Sequence, residues 1–223
     1  MAATKNIVLK IDVISDTICP WCFIGKRRLE KAMSQFTSTH PNVSFDVEWH
    51  PFQLSPTMSK TNPKPKMEHY IRKFGEERAN AMVPYIKSVG EPEGISFSYG
   101  GVMANTLDSH RLIHWSRQFG CQNQVVEELF KDYFEREQNI GDASVLAAAA
   151  ERAGIDKNKA LSYLKSDQDV DSVSAAVEEN RINSMGGVPN YKIQHKFTFP
   201  GAQEPASFVA FFEKALHQLQ STL

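Results

Sequence analysis

Two cysteines separated by two residues, Cys19 and Cys22, come shortly after an apolar stretch at residues 7–14. That stretch is rich in Ile and Val and predicts a β-strand. Residues 23–36 carry apolar side chains at helical intervals. Pro20 suits the first turn of a helix, because its missing N–H has no partner there. The cysteine pair is therefore expected at a strand-to-helix turn, with Cys19 at or just before the helix N-terminus.

This position favours redox chemistry. The thiolate is the form that attacks a disulfide, and a free thiol with a pKa of about 8.5 is mostly protonated at neutral pH. The start of a helix offers unpaired N–H groups and a partial positive charge, which stabilise an anion. We therefore predict that Cys19 is the nucleophile and that Cys22, about one turn deeper, resolves the mixed disulfide. Pro20 stiffens the turn, and Trp21 offers an apolar contact to substrate.

The residues around the pair carry further expectations. Residues 15–17 are small and polar, of the kind that cap helices, and the basic residues 26–28 are expected to be solvated. Asp12, in the first strand, is either a buried acid that moves a proton to Cys22 or a partly exposed strand residue. The direction of exchange stays open, because the reduction potentials of such cysteine pairs span about 150 mV.

A structural metal site is the main alternative for a Cys-x-x-Cys pair. Zinc needs two more ligands at suitable spacing, and the sequence has no second such pair. His110 and His114 lie one helical turn apart but lack the glutamate of the zinc-protease motif. We therefore predict a redox-active disulfide and no metal or bound cofactor, with glutathione open as a co-substrate. The third cysteine, Cys121, is expected to be a bystander.

The remaining pattern is mostly helical. The helical period runs almost throughout from Met67 to Met185, with a kink or break expected at Pro84. Gly120 is expected to end a helix within this block and Asp156 to cap another. Gly186 and Gly187 then interrupt the helical period. Outside this block the sequence predicts a second strand, a β-hairpin and a closing helix, at residues 43–49, 190–193 with 196–199, and 206–219.

The order of these elements predicts the fold class and the domain organisation. The order is β–α–β, then helices, then β–β–α, which predicts an α/β protein with one mixed sheet. Residues 1–58 and 186–223 are expected to form this sheet domain together. Residues 59–185 are expected to be an all-α insertion between the two parts.

Charge and hydropathy limit the partners. With 25 basic and 26 acidic residues the net charge is −1, which argues against a general nucleic-acid binder. Lys10 and Asp12 interrupt the first apolar stretch, so it does not read as a signal-peptide core. No stretch approaches the roughly 20 apolar residues of a membrane helix. We therefore expect a cytoplasmic protein with thiol or disulfide partners, protein or small-molecule, and with neither nucleic acid nor membrane. The oligomeric state stays open.

Several motifs together resemble one known family. Residues 15–25, Ser-Asp-Thr-Ile-Cys-Pro-Trp-Cys-Phe-Ile-Gly, resemble the start of the DsbA-like thioredoxin-fold proteins, in particular the FrnE-like branch. Further matches follow in the same order over nearly the whole chain, at residues 52–54, 105–106, 110–112, 187–189 and 201–203.

This resemblance implies a thioredoxin fold with a helical insertion and a thiol–disulfide oxidoreductase activity. It also implies that the Val188–Pro189 bond is cis and faces the cysteines, where the Val188 backbone would pair with an extended substrate. The family pattern further suggests that Asn105, Thr106 and His110 line the groove beside the insertion. Asn105 as a helix cap and His110 as a satisfied buried residue stay open.

Two other functions stay open. Kappa-class glutathione transferases and hydroxychromene-carboxylate isomerases resemble this chain in architecture but carry serine at the position of Cys19. They define the alternative of a glutathione-dependent transferase or isomerase. A non-catalytic binder that uses Trp21 and the helical groove is a third hypothesis. After Pro189 the family usually has a small or aromatic residue, whereas this chain has Asn190, so substrate preference does not carry over from the resemblance.

Overall fold

The computed structural model describes residues 6–184 and 187–221. Within these ranges strands and helices alternate at both ends of the chain, and helices fill the middle. The strands are β1 Ile7–Ser15, β2 Val43–Pro51, β3 Lys64–Pro65, β4 Val102–Met103, β5 Asn190–Ile193 and β6 Phe197–Pro200. The helices are α1 Pro20–Thr39, α2 Lys66–Phe74, α3 Glu76–Gly90, α4 Leu107–Ser116, α5 Gln122–Phe134, α6 Ala143–Arg152, α7 Lys157–Lys165, α8 Val170–Asn183 and α9 Pro205–Ser221.

The main sheet has the strand order β2-β1-β5-β6. Strands β1 and β2 are parallel, as the helical crossover α1 between them requires. Strand β5 pairs antiparallel with both β1 and β6, so the last two strands form the predicted hairpin. The predicted mixed sheet and the α/β class are therefore confirmed.

The two faces of β1 have different surroundings. Leu9, Ile11 and Val13 are at most 1% exposed and lie on the face that α1 and α9 cover. Phe36 of α1 marks this face, because its ring lies 6.1 Å from the ring of Phe45, the β2 partner of Leu9. The alternate residues of β1, such as Asp12, therefore point to the opposite face.

The helical part begins differently from the sequence prediction. The helical stretch is interrupted at Gly75, which has φ +84°, and Pro84 lies inside the continuous helix α3. Of the kink or break expected at Pro84, the break is therefore wrong. Glycine adopts a positive φ without the steric cost that a side chain brings, so the turn forms there. The short antiparallel pair β3–β4 was not predicted, because two-residue strands carry no periodic signal.

Other boundaries agree closely with the sequence pattern. Gly120 ends the helical stretch after α4 in a left-handed conformation, and Asp156 caps α7 by accepting a hydrogen bond from the Lys159 amide. The expected ends at Met185 and Gly186, including the boundary drawn between the insertion and the sheet domain, lie outside the described residues. No helix in the described part of the chain is long and apolar enough to span a bilayer.

Candidate redox site

Cys19 occupies the N-cap position of α1, where its backbone is extended with φ −92° and ψ 115°. Its side chain is 4% exposed. Pro20 follows at the first helical position, as the sequence predicted. The Cys19 thiol makes no capping hydrogen bond to α1; it donates to the Val188 carbonyl oxygen at 3.7 Å. The described structure therefore presents this sulfur to the Val188 segment.

Cys22 lies directly behind Cys19 and is fully buried. Its backbone N–H donates to the Cys19 carbonyl at 3.0 Å. Burial raises the pKa of the Cys22 thiol well above its ordinary value, and the hydrogen bond and like charge of Cys19 raise it further. Ser15 and the Asp16 backbone act in the opposite direction. Cys22 therefore stays protonated as long as Cys19 has not formed a mixed disulfide.

The Val188–Pro189 segment closes the site from the other end of the chain. Its peptide bond is cis. Gly25, one turn beyond the cysteines, allows this segment to approach α1. A Cβ at Gly25 would lie 3.2 Å from Pro189 Cγ and would collide with the hydroxyl of Tyr191. The close approach of α1 to Pro189 and Tyr191 therefore requires glycine at this position.

Asp16 and Thr17, which were among the residues expected to cap α1, form hydrogen bonds with distant parts of the chain. Asp16 is fully buried. One carboxylate oxygen lies 3.2 Å from His110 Nε2, and the other accepts the Leu54 N–H at 2.7 Å. Thr17 and Ser109 share a hydrogen bond between their hydroxyls at 2.8 Å. This buried polar layer joins the turn before Cys19 to helix α4.

Three family-suggested groove residues lie in or beside that layer. His110 is buried against Asp16, which fits the satisfied-histidine interpretation. Asn105 accepts the Leu107 N–H at 2.9 Å at the start of α4 and donates to two loop carbonyls. Gln53 donates to both Asn105 and Thr106. The structure therefore uses these residues to hold loops and does not bring them into the cavity beside Cys19.

That cavity has a volume of about 360 Å³. Cys19, Trp21 and Val188 are among its lining residues. Helices α2 and α3 supply most of the far wall, and the Trp21 ring lies 6.1 Å from the ring of the exposed Tyr85. The wall residues that sequence reasoning missed are His69, Tyr70, Lys73, Phe74, Met82, Ile86 and Met103. Only their helical periodicity was visible, and that pattern equally fits a core face.

A group of buried tyrosines lies beside this cavity, and Tyr70 forms part of its wall. The hydroxyls of Tyr70, Tyr99 and Tyr133 are buried, and those of Tyr70 and Tyr133 lie close enough to influence each other's pKa. Burial raises the pKa of each, and for Tyr70 and Tyr99 the charge of Cys19 adds to the effect. Lys66 donates to the Tyr133 carbonyl at 2.6 Å, and burial lowers the pKa of Lys66 to about 8.

The basic residues 26–28 were expected to be solvated, but each of them pairs with a carboxylate. Lys26 is 3% exposed and pairs with Glu127 of α5 at 2.9 Å. Arg27 pairs with the same carboxylate. Arg28 pairs with Glu93 at 2.8 Å. The positive charges of α1 therefore anchor it to the helical part of the chain.

Asp12 does not reach the cysteines. It points to the sheet face opposite α1 and lies 3.0 Å from His50 Nε2. With its side chain 18% exposed, it fits the partly exposed interpretation rather than a proton path to Cys22. Cys121, near the start of α5, lies 3.7 Å from the Ser116 carbonyl and away from the pair.

A four-stranded mixed sheet in the order β2-β1-β5-β6, with two cysteines at the start of the helix after its first strand, defines a thioredoxin-fold protein with a dithiol site. The family comparison agrees. Residues 10–213 match the DSBA-like thioredoxin domain, and the chain belongs to that family.

Proteins similar to this chain include one relative by sequence and two solved structures. The chain is 26% identical over 152 residues to the uncharacterised protein YwbO of Bacillus subtilis, covering 67% of this chain and 68% of YwbO. A probable DsbA oxidoreductase from Streptomyces coelicolor is 25% identical, with a TM-score of 0.84 over 94% of this chain and 90% of that one. The cytosolic disulfide reductase DsbM of Pseudomonas aeruginosa, solved with GSH, is 15% identical, with a TM-score of 0.63 over 93% and 99%.

Proposed function

We propose that this protein exchanges disulfides with thiol or disulfide substrates, with Cys19 as the nucleophile and Cys22 as the resolving thiol. The observation that carries the proposal is the position of Cys19. It occupies the N-cap position of α1, faces the Val188 carbonyl at 3.7 Å and borders a cavity of about 360 Å³, with Cys22 buried behind it. A substrate sulfur can approach Cys19 from that cavity, whereas Cys22 is screened from it.

The exchange proceeds in two balanced steps. The Cys19 thiolate attacks one sulfur of a substrate disulfide, so a bond forms between enzyme and substrate and the other substrate sulfur leaves as a thiolate. Cys22 then loses its proton and attacks the Cys19 sulfur, which releases the second substrate thiol. The substrate gains two electrons and two protons, and the enzyme dithiol becomes a disulfide. The same steps in reverse oxidise a dithiol substrate.

The order of the two attacks follows from the environment of Cys22. Burial and the neighbouring Cys19 raise its pKa, so Cys22 does not compete for substrate. Once Cys19 is in a mixed disulfide, its charge is gone, and one cause of the raised pKa disappears. The proton then leaves Cys22 more readily, and the internal disulfide closes.

Substitution of each cysteine separates these roles. Cys19→Ser should abolish reduction of insulin disulfides. Cys22→Ser should still attack and should accumulate a mixed disulfide, detectable as a mass increase that dithiothreitol reverses. Cys121→Ser is the matched control and should keep full activity. Full activity of Cys19→Ser, or no trapped species with Cys22→Ser, would contradict the proposal.

Glutathione as co-substrate is a second proposal. Its support is the cavity beside Cys19, whose volume falls in the range of small-ligand sites, together with Lys73, which supplies a cation for a ligand carboxylate. Lys73→Ala should then raise the KM for glutathione without changing the rate with dithiothreitol. Conjugation of an electrophile that persists after loss of Cys22 would instead favour the transferase alternative.

We also propose that the protein works in the cytosol and belongs to the FrnE-like branch. Three cysteines are too few for a disulfide-stapled scaffold of the secreted kind, and the similarity to a cytosolic DsbM points the same way. Cell fractionation with an antibody to the protein tests the location, and recovery in an extracytoplasmic fraction would reject it.

A further inference from the structure

A second cavity, of about 630 Å³, lies on the sheet face opposite α1. We name it the outer cavity. Its walls come from β1, β2, β5 and α8, and among its lining residues are Asp12, Glu48, His50, Asn190 and His195. None of these residues borders the cavity beside Cys19. The outer cavity and the cavity beside Cys19 therefore share no lining residue.

Three metal-ligating side chains converge in this cavity. Asp12 and Glu48 are direct partners in the parallel pair β1–β2, and His50 lies two residues further along β2 on the same face. One ligand atom from each lies within 4.8 Å of the other two. Asp12 Oδ1 and His50 Nε2 are 3.0 Å apart. Two ligands on one tetrahedral zinc, with bonds of about 2.0–2.2 Å, lie about 3.3 Å apart, so this pair needs little movement.

A second histidine holds the other oxygen of Asp12. His195 Nδ1 lies 3.1 Å from Asp12 Oδ2. The residue belongs to the β5–β6 turn and has φ +56°. Carboxylates that bind metals commonly have their outer oxygen held by such a partner, which fixes their orientation. Asp12 is thus held with one oxygen turned to His195 and the other to the cluster.

Asn190 gives an independent indication of a ligand. Its side chain is 2% exposed, lines the outer cavity, and its Nδ2 has no hydrogen-bond partner among the described residues. A buried N–H donor without a partner costs about 1–3 kcal/mol. Zinc bound by three protein ligands keeps a water in its fourth position. The oxygen of such a water is an acceptor of the kind that Asn190 lacks.

The charged residues around the cluster determine its affinity for a metal. Glu179 of α8 lines the same cavity and adds a third carboxylate. Against these, Arg117 binds Glu48 at 2.9 Å, and Lys192 lies opposite Asp12 in the strand pairing. These two cations offset part of the negative charge of the cluster and compete with a metal. We expect an affinity in the micromolar range rather than that of a closed structural zinc site.

We propose that the outer cavity binds one divalent transition-metal cation of the Zn²⁺ class, with Asp12, Glu48 and His50 as ligands and His195 orienting Asp12. This differs from the expectation of no metal site. That expectation considered the cysteines and the His110–His114 pair. The new donors come from residues 12, 48, 50 and 195, which only the sheet and its last turn bring together.

Zn²⁺ titration by calorimetry tests the proposal. The protein carries Cys19→Ser, Cys22→Ser and Cys121→Ser, so that no thiol binds the metal, and circular dichroism checks its fold. About one equivalent of Zn²⁺ should bind, and saturating Zn²⁺ should raise the Tm by several degrees. Asp12→Asn and His50→Ala should each weaken binding about a hundredfold, and His195→Ala about tenfold.

A matched control distinguishes the site from surface histidines in general. His40 lies 3.8 Å from Glu213 but has no such cluster, so His40→Ala should leave binding unchanged. His195 is an exposed turn residue, so His195→Ala gives a result even if a strand variant misfolds. The proposal is wrong if no Zn²⁺ binds at millimolar concentration. It is equally wrong if binding survives in Asp12→Asn and His50→Ala, or if His195→Ala binds as the parent does.

Discussion

The ion pairs between α1 and α5 give the most quantitative prediction. Glu127 of α5 receives Lys26 at 2.9 Å, Arg27, and Lys131 at 3.1 Å, while its side chain is only 15% exposed. Substitution of Glu127→Gln keeps the shape and removes the charge. The variant leaves the buried Lys26 with Glu30 as its remaining partner. We expect this to loosen the contact of the cysteine-bearing helix with the helical part.

The magnitude follows from the pKa of Glu127. Burial alone would raise it, but Lys26 and Arg27 outweigh burial and lower it from 4.5 to about 2. At about 1.4 kcal/mol for each pH unit, the ionised carboxylate contributes about 3 kcal/mol to the free energy of unfolding. Because residual solvent around the group screens its charges, this value is an upper limit. Glu127→Gln should therefore destabilise the protein by about 2–3 kcal/mol at pH 7.

The pH dependence of this loss identifies its cause. The folded pKa lies below the unfolded one, so the stabilisation is fully present above pH 4.5 and disappears as the pH falls toward 2. Urea unfolding of wild type and Glu127→Gln, followed by circular dichroism, should give a difference at pH 7 that shrinks below pH 4.5. Glu178→Gln is the control, because its pair with Arg181 is 62% and 57% exposed and should be worth less than about 0.5 kcal/mol. A Glu127→Gln loss no larger than this control's, or equal losses at pH 7 and pH 3, would refute the reasoning.

Three further predictions test other contacts. Gly25→Ala should displace Pro189 and Tyr191, destabilise the protein by about 1–3 kcal/mol and lower the rate of insulin reduction; wild-type stability and rate would contradict the close approach. Arg111, 2% exposed, donates to the carbonyls of the turn after α7, so Arg111→Met should cost about 3 kcal/mol or more in urea unfolding, and a loss below 1 kcal/mol would be inconsistent with this role. Burial lowers the pKa of Lys66 to about 8 from 10.5, so the free energy of unfolding of wild type should rise relative to Lys66→Met by about 1.4 kcal/mol per pH unit between pH 8 and 10; a flat difference in urea titrations would reject that pKa.

Local sequence signals predicted the elements that position the cysteines. Strand β1 and helix α1 are strongly periodic, and Pro20 marks the first turn of the helix, so the N-cap position of Cys19 followed from neighbouring residues. The hairpin β5–β6 and the caps at Gly120 and Asp156 were equally local. The break at Gly75 was not predicted, because proline destabilises a helix interior more than glycine does. In the structure, Pro84 is accommodated in α3.

Long-range pairing could not be predicted in the same way. The sequence assigned Asp16 to helix capping, and only its burial against His110, 94 residues away, gives it another role. The basic residues 26–28 were predicted to be solvated, because their partners, Glu127 and Glu93, lie far along the chain. The sequence left two roles open for Asp12 and gave no local signal to choose between them. Strand alternation turns its side chain away from Cys22 and toward His50.

The contact between Cys19 and Val188 spans 169 residues. During synthesis Cys19 and Cys22 leave the ribosome long before the Val188 segment has been made. Strand β1 is likewise made long before its partner β5. Nascent chains shorter than about 190 residues thus carry an exposed dithiol with an unpaired strand edge. Such chains are open to unintended disulfides and to pairing with other polypeptides, so the surroundings of the dithiol are complete only after Val188 has been synthesised.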